Sequence, residues 1–375
     1  MRFVCIEVLC RRRYHAAHIE TPPGADDEDL RDDPGAEDEE REDSTAPVSA
    51  GGDPLKSPQP FHENAPMHAP EVGWVKKFLG MFHVTGVFWY RFHRWGVSTV
   101  PSRGGVFTII MIFTSLFFVF LFNIRRAIAD NLEAVLGPTG FFGRQRRIWK
   151  TMHTFAWCLS ERYERLSTDR KFNFSVENMD AWNEVAQSGR GFLMLSAHVG
   201  NYEVGAMLPS SEERRRVHLV REREMDPKAQ EFVERLLDGL PDADLYRWHF
   251  EGDQPLHALP LLHALQEGDI VAAHGDRPRT GARTIDTEIF GRPFPIPAGP
   301  ITLARTARVP ILPAYVLREG RRHYRLVFQT PIRVPRTRDR DADLEEAAQL
   351  VAANVEWAIR EKPHQWFCFR SVWPK

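Results

Sequence analysis

The residues of this chain best suited to moving a proton are an imidazole and a carboxylate at the end of an apolar run, His198 and Glu203 of the hexapeptide HVGNYE. A histidine titrates near neutrality and takes a proton from a hydroxyl when a second group holds its ring in one tautomer. Glu203 is the expected orienting group. It would also stabilise the imidazolium formed as an alcohol attacks an acyl carbonyl.

That chemistry requires the two side chains to converge, and their spacing limits how. Five residues on one continuous helix are about 140° apart, so a single helix keeps them separate. A strand-to-helix corner brings them together. Gly191–Ala197 (GFLMLSA) reads as a short buried strand, Gly200 and Asn201 supply turn chemistry, and Tyr202–Leu208 starts a helix that Pro209 stops. In this corner Asn201 caps the helix and Glu203 occupies its first turn. The first amides face an anion or a developing oxyanion. A histidine and a glutamate at this spacing also arise by chance, with the ring merely hydrogen-bonded, so the pair takes its weight from its surroundings.

Three later segments supply them. Asp269–Arg277 (DIVAAHGDR) is a second apolar run, ending in a charged pair where a central strand would reach its sheet edge. Strand ends are where α/β sheets place ligands. Phe290–Pro300 (FGRPFPIPAGP) is dense in proline and glycine and leads into Ile301–Ala307, which has helical character. Its glycine would let backbone approach a ligand. Val309–Tyr315 (VPILPAY) is a short apolar strand with a backbone restricted by Pro310 and Pro313.

In this order the segments HVGNYE, GDR, FPIPAGP and VPILP resemble the four blocks of the glycerolipid and lysophospholipid acyltransferase superfamily. Within it the wording is most similar to the bacterial lipid A biosynthesis lauroyl/myristoyl acyltransferase family, from roughly Trp74 to the C-terminus. That span includes an apolar N-terminal helix and the aromatic tail HQWFCF, His364–Phe369. The resemblance implies His198 as general base and Glu203 as its partner, with Asn201 shaping the corner. It also implies Asp276 and Arg277, Gly299 and Pro300 as substrate-binding positions, Asn201 among them. A basic side chain in the second block binds the phosphate or sugar of the acceptor, or the donor. No acidic residue follows Gly299 as in the glycerol-phosphate branch, which argues against a simple glycerol-phosphate acceptor. Glu222 and Glu224 lie where related mannoside acyltransferases carry an additional carboxylate, and neither is assigned. The donor implied is an acyl carrier protein or coenzyme A thioester, with no metal or other cofactor.

Composition is compatible with this. The 375 residues suffice for one large α/β domain with appendages, and 43% hydrophobic content for its core. The formal charge of −2 conceals two halves. Asp26–Asp43 holds twelve acidic residues and two arginines, and the remainder has 47 basic against 39 acidic residues, a net of +8. A basic body suits an anionic membrane surface, phosphate-bearing acceptors and an acidic carrier protein. No interleaved aromatic and basic motif points to nucleic acid.

Residues 1–70 read as a disordered acidic tail without a secretory signal, followed by a membrane-associated segment at 71–124 and a catalytic domain at 125–375. Gly104–Phe122 is an uncharged apolar run of about the ~20 residues that cross a bilayer, bounded by Arg103 and by Arg125–Arg126. Trp74–Trp95 interleaves aromatics with Lys76, Lys77, Arg91 and Arg94, as interfacial helices do. Arg144, Arg146, Arg147 and Lys150 then favour an inner-membrane protein whose catalytic domain faces the cytoplasm, where the thioester donor is made.

Beyond the span, Arg125–Leu166 is expected to be helical. Strands are expected at Phe192–Ala197, Val217–Val220, Ile270–Ala273, Ile311–Val316 and Tyr324–Phe328. The better helices are Lys228–Leu237, Leu256–Gln266 and Leu344–Arg360. This alternation predicts an α/β fold, a central mostly parallel or mixed sheet flanked by helices and preceded by a membrane-anchoring helix. Cys5, Cys10, Cys158 and Cys368 show no metal-ligand spacing, no GxSxG elbow is present, and His198, Glu203 and His274 lack the register of a zinc-binding helix.

The leading expectation is therefore a membrane-bound O-acyltransferase that moves a fatty acyl chain to a hydroxyl of a lipid A-like acceptor. Two alternatives differ from it. One is acylation of a phosphatidylinositol mannoside-like, polyene or amino-acid lipid, and the other is a catalytically inactive membrane scaffold.

Overall fold

The computed structural model describes residues 103–167, 170–202, 215–221, 227–238, 243–250, 258–278 and 281–373, with a few positions between 91 and 99. The acidic tail, the Trp74–Trp95 segment for the most part, Glu203, Glu222 and Glu224 lie outside these residues.

The described chain begins with α1 (Arg103–Phe120), α2 (Phe122–Leu136) and α3 (Phe141–Ser167). No single described helix is long and apolar enough to cross a membrane. The 18 residues of α1 extend roughly 27 Å, just short of a hydrocarbon core of about 30 Å. At Leu121 the chain turns by 93° into α2, and together the two helices meet the length and composition of a broken span or re-entrant pair. The turn falls where the uniformly apolar run becomes amphipathic. Ile128, Leu132 and Met152 share a small core, and the Asn131 amide donates to the carbonyls of Cys368 and Arg370 at 3.0 and 2.8 Å. The continuous helix expected over Arg125–Leu166 is divided at Gly137-Pro138-Thr139-Gly140, where Gly137 has φ +74°. Proline cannot continue the hydrogen-bond ladder, and glycine accepts that φ without strain.

The remaining elements are β1 (Asn173–Glu177), α4 (Met179–Ala186), β2 (Phe192–Ser196), β3 (Val217–Arg221), α5 (Pro227–Asp238), β4 (Tyr246–Phe250), α6 (Ala258–Gln266) and β5 (Ile270–His274). They continue with β6 (Thr284–Ile289), β7 (Arg292–Pro297), α7 (Ala298–Ala307), β8 (Ile311–Gly320), β9 (His323–Phe328) and α8 (Arg340–Glu361). Seven strands form one sheet in the order β1-β9-β8-β2-β5-β3-β4. Only β8 and β9 pair antiparallel; the other neighbours are parallel. All five expected strands are present, so the α/β class holds.

Parallel strands are buried on both faces, and β2 shows the consequence. Leu193 and Leu195 join Ile301 and Ala304 of α7 and Ala348 and Val351 of α8 in one core. Phe192 and Met194 point the other way, to Trp182 and Val185 of α4 and to Ile270 and Ala272 of β5. With both faces of β2 filled, its register is fixed, and the chemistry is left to its carboxyl end.

Three regions depart from expectation. β1, β4, β6 and α4 lie where no element was expected. Within the proline-rich stretch Phe290–Pro300, expected as a loop, Arg292–Pro297 is a strand, β7, paired antiparallel with β6 through a two-residue turn, and the expected helix follows it as α7. Phe290 and Gly291 both have positive φ there, as a tight primed hairpin turn requires.

Candidate active site

Register places the site. In the parallel pair β2 and β5, Ser196 lies opposite His274. Two residues further along each chain are His198 and Asp276, and period-two alternation brings both side chains to the same side of adjacent strand ends. They meet. His198 Nδ1 lies 2.7 Å from Asp276 Oδ1, although 78 residues separate them in sequence.

The Asp276 side chain is completely buried, while that of His198 keeps 15% exposure. Burial alone would raise the carboxyl pKa. The His198 ring, through charge and hydrogen bond, then Arg277 and His274, outweigh burial and hold Asp276 well below the usual carboxylate range. An ionised carboxylate only accepts, so the His198 Nδ1–H donates to Asp276 and Nε2 carries the lone pair. No described residue hydrogen-bonds Nε2. This is the tautomer a general base needs.

The corner that carries His198 is built by the C-terminal segment and β8. The His198 carbonyl accepts from the Phe367 amide at 2.8 Å, the Gly200 amide donates to the Gln365 carbonyl at 2.9 Å, and the Asn201 amide donates to the Val316 carbonyl at 2.9 Å. Gly200 has φ +69°, and a Cβ there would stand 2.0 Å from the Val316 carbonyl oxygen. Only glycine fits. Trp366 Nε1–H donates to the second Asp276 oxygen at 3.3 Å, so both carboxylate oxygens are engaged. In the sequence the aromatic tail carries only its resemblance, and no local signal marks this positioning contact.

Asn201 is buried, and its amide donates to the Cys158 carbonyl at 3.2 Å and to the Tyr324 hydroxyl at 2.9 Å. Tyr324 in turn donates to Glu161, which also accepts from Arg318 Nε at 2.9 Å. Asn201 therefore ties the corner to α3 and β9. Arg277 Nε lies 3.2 Å from His198 Nδ1, on the Asp276 side of the ring. Gly299 is exposed at the second position of α7, with open space where a side chain would stand, and Pro300 follows it half-buried. The structure thus brings His198, Asp276 and Arg277 into direct contact. Tyr202, at the start of the next helical turn, sets its ring edge-on to His198 with centroids 5.0 Å apart.

Neither described cysteine is a nucleophile. Burial pushes the Cys158 thiol far up, and burial with the nearby Asp276 pushes Cys368 up to about 11, so both are protonated at neutral pH.

A buried aspartate fixes a histidine at the carboxyl ends of parallel strands of an α/β sheet, with a cation beside them, an arrangement chemically able to take a proton from a hydroxyl. Residues 76–375 match the bacterial lipid A biosynthesis acyltransferase family, and the chain belongs to that family and is an acyltransferase. Among solved structures, it is similar to the 1-acyl-sn-glycerophosphate (LPA) acyltransferase PlsC from Thermotoga maritima. Identity is 11% and the TM-score 0.32, over 67% of this chain and 94% of that one. No curated protein matches the chain.

Proposed function

We propose that the chain transfers a fatty acyl group from an acyl carrier protein or coenzyme A thioester directly to a hydroxyl of a lipid A-like glycolipid, at the inner-membrane surface facing the cytoplasm. The observation that carries this reading is the His198 ring, held through Nδ1 by ionised Asp276 while Nε2 is left to a substrate. The acceptor hydroxyl gives its proton to Nε2, its oxygen attacks the thioester carbonyl, and Asp276 stabilises the imidazolium. Arg277 neutralises an anionic group of donor or acceptor. Glu203, five residues after His198 in sequence, is a second carboxylate proposed to support the base. Asn201 holds the corner, while Gly299 and Pro300 shape the acceptor side at the start of α7.

Membrane placement rests on α1 and the start of α2, where Phe107, Ile112, Leu116, Val119, Phe120 and Phe122 are all exposed. Arg125 stacks on Phe118 at 4.3 Å where this apolar surface ends, as a cation at a headgroup boundary does. The test is acyl transfer by the detergent-solubilised full chain from radiolabelled acyl-carrier-protein or acyl-coenzyme A to a lipid A precursor. His198→Ala is expected to lower turnover by at least about 10³-fold while melting temperature and membrane association stay unchanged. Full activity in a folded His198→Ala protein overturns the reading.

A further inference from the structure

A second imidazole stands beside the base. His274 is the last residue of β5 and the register partner of Ser196, and its ring stacks on that of His198 with centroids 4.4 Å apart and planes 28° apart. Tyr202 sets its ring edge-on to His274 as well, at 4.7 Å and 84°, so one aromatic side chain braces both imidazoles. Neither ring nitrogen of His274 hydrogen-bonds a described residue, and the residue is half-buried rather than sealed.

Burial, then the neighbouring His198, keeps His274 well below its ordinary pKa; Arg277 and Arg221 add to this, and Asp276 opposes them without prevailing. The ring is neutral at working pH. A neutral imidazole always carries one N–H donor, and this one has no acceptor among the described residues at the strand end where the acyl group must react.

We infer that His274 is a second catalytic residue, whose N–H donates to the acyl carbonyl oxygen as negative charge develops there. The inference rests on the proposed role of His198. The hydroxyl oxygen bonds to the thioester carbon as its proton passes to His198, and the carbonyl π pair moves onto oxygen, where His274 meets it without releasing its own proton. Collapse re-forms the carbonyl and breaks the carbon–sulfur bond, and His198 returns the proton to the departing thiolate. The oxygens of a tetrahedral centre are close neighbours, so two stacked rings are placed to serve both. Neutrality matters here, because an imidazolium at position 274 would repel the imidazolium forming on His198 one ring away. A preorganised donor of this kind acts mainly on the transition state.

Three substitutions in the full-length enzyme test this with the thioester transfer assay. His274→Phe keeps an aromatic ring to stack but has no donor, whereas His274→Asn and His274→Gln restore an N–H. Phe is expected to lower kcat by about 10²-fold or more with little change in KM, and the better amide to recover at least about tenfold of that loss. Phe within threefold of wild type, or equal defects in all three folded variants, overturns the inference. In the wild-type enzyme, ring ¹⁵N shifts should show His274 neutral at pH 7 and perturbed by a non-reactive thioester analogue. An imidazolium, or no response, overturns it without any variant. His198→Ala is run alongside: an active His198→Ala protein removes the underlying reading, while an inactive one beside an active His274→Phe removes only this step.

Discussion

The sheet carries two clusters of two histidines and an aspartate, and they make opposite use of the same groups. At the carboxyl ends of β2 and β5, His198 gives Nδ1 to Asp276 and keeps Nε2 free of described partners. Toward the amino-terminal end of β5, His218 uses both nitrogens: Nδ1 lies 2.9 Å from His249 Nε2, and Nε2 lies 3.2 Å from Asp269 Oδ2. Both histidine side chains have little exposure, 15% at His198 and 12% at His218. Accessibility therefore does not separate them. A ring with a lone pair available takes a proton; one with both nitrogens occupied ties strands together. The aspartates differ as well, since Asp276 is fully buried and anchored on both oxygens whereas Asp269 keeps 16% of its side chain in solvent.

The largest test of this contrast is Asp276→Asn. An amide presents its NH2 or its carbonyl to the ring and no longer fixes the productive tautomer, so turnover should fall by about 10²–10⁴-fold with the fold intact. Glu203→Gln, measured beside it, decides which carboxylate holds the base. A larger loss from Glu203 than from Asp276 would break the comparison. The folded pKa of Asp276 lies below its unfolded value of about 3.9, so its ionised form stabilises the fold above that pH, and the contribution is lost as pH falls further. Asp276→Asn should accordingly flatten the acid end of the stability curve in pH-dependent thermal unfolding.

How much of this could be read from the chain follows from the range of each interaction. His198 was legible because an apolar run delivers it to a strand end, and the five strands with apolar cores were legible for the same reason. The pairing of His198 with Asp276 was not, because it depends on β2 and β5 being neighbours, and strand order is not written in local periodicity. From the sequence, the resemblance makes Asp276 a binding residue instead. β7 escaped because RPFPIP carries three prolines. Pro293, Pro295 and Pro297 alternate, however, so all three missing N–H groups fall on the side away from β6, where a two-stranded ribbon needs no donor. β4, YRWHF, alternates aromatic with basic side chains as a strand does, but it is a five-residue edge strand and the signal is short. The break at Gly137-Pro138 was written in the sequence, since that dipeptide ends helices, and the helical periodicity on either side overrode it.

A middle-sized effect is expected at the other cluster. His218→Ala removes a ring that bridges β4 to the start of β5, leaving Asp269 and His249 without their partner, at a cost of about 1–3 kcal/mol in stability. Burial, then the charge of His218, already lowers the His249 pKa, so His249 stays neutral and serves only as a hydrogen-bonding neighbour. Chemical denaturation should show the loss, while transfer activity at a temperature where the variant is folded stays within about threefold of wild type. A drop in turnover comparable to that of Asp276→Asn would show that the two clusters are functionally coupled and remove the distinction drawn above.

The smallest expected effect concerns the second anchor of Asp276, for which Asp269 has no counterpart among the described residues. Trp366 is buried, and its indole donates to the Asp276 oxygen that does not face His198. Trp366→Phe keeps most of the aromatic bulk and deletes the donor. At 3.3 Å the contact is long, so its loss should cost about 1 kcal/mol of positioning, a fall in kcat of about fivefold. KM should hardly move, because the indole touches the carboxylate rather than a substrate. The Phe367 amide and the His198 carbonyl remain bonded in the variant, so a loss near that of Asp276→Asn would mean that the tail, not the aspartate, is what holds the base in place.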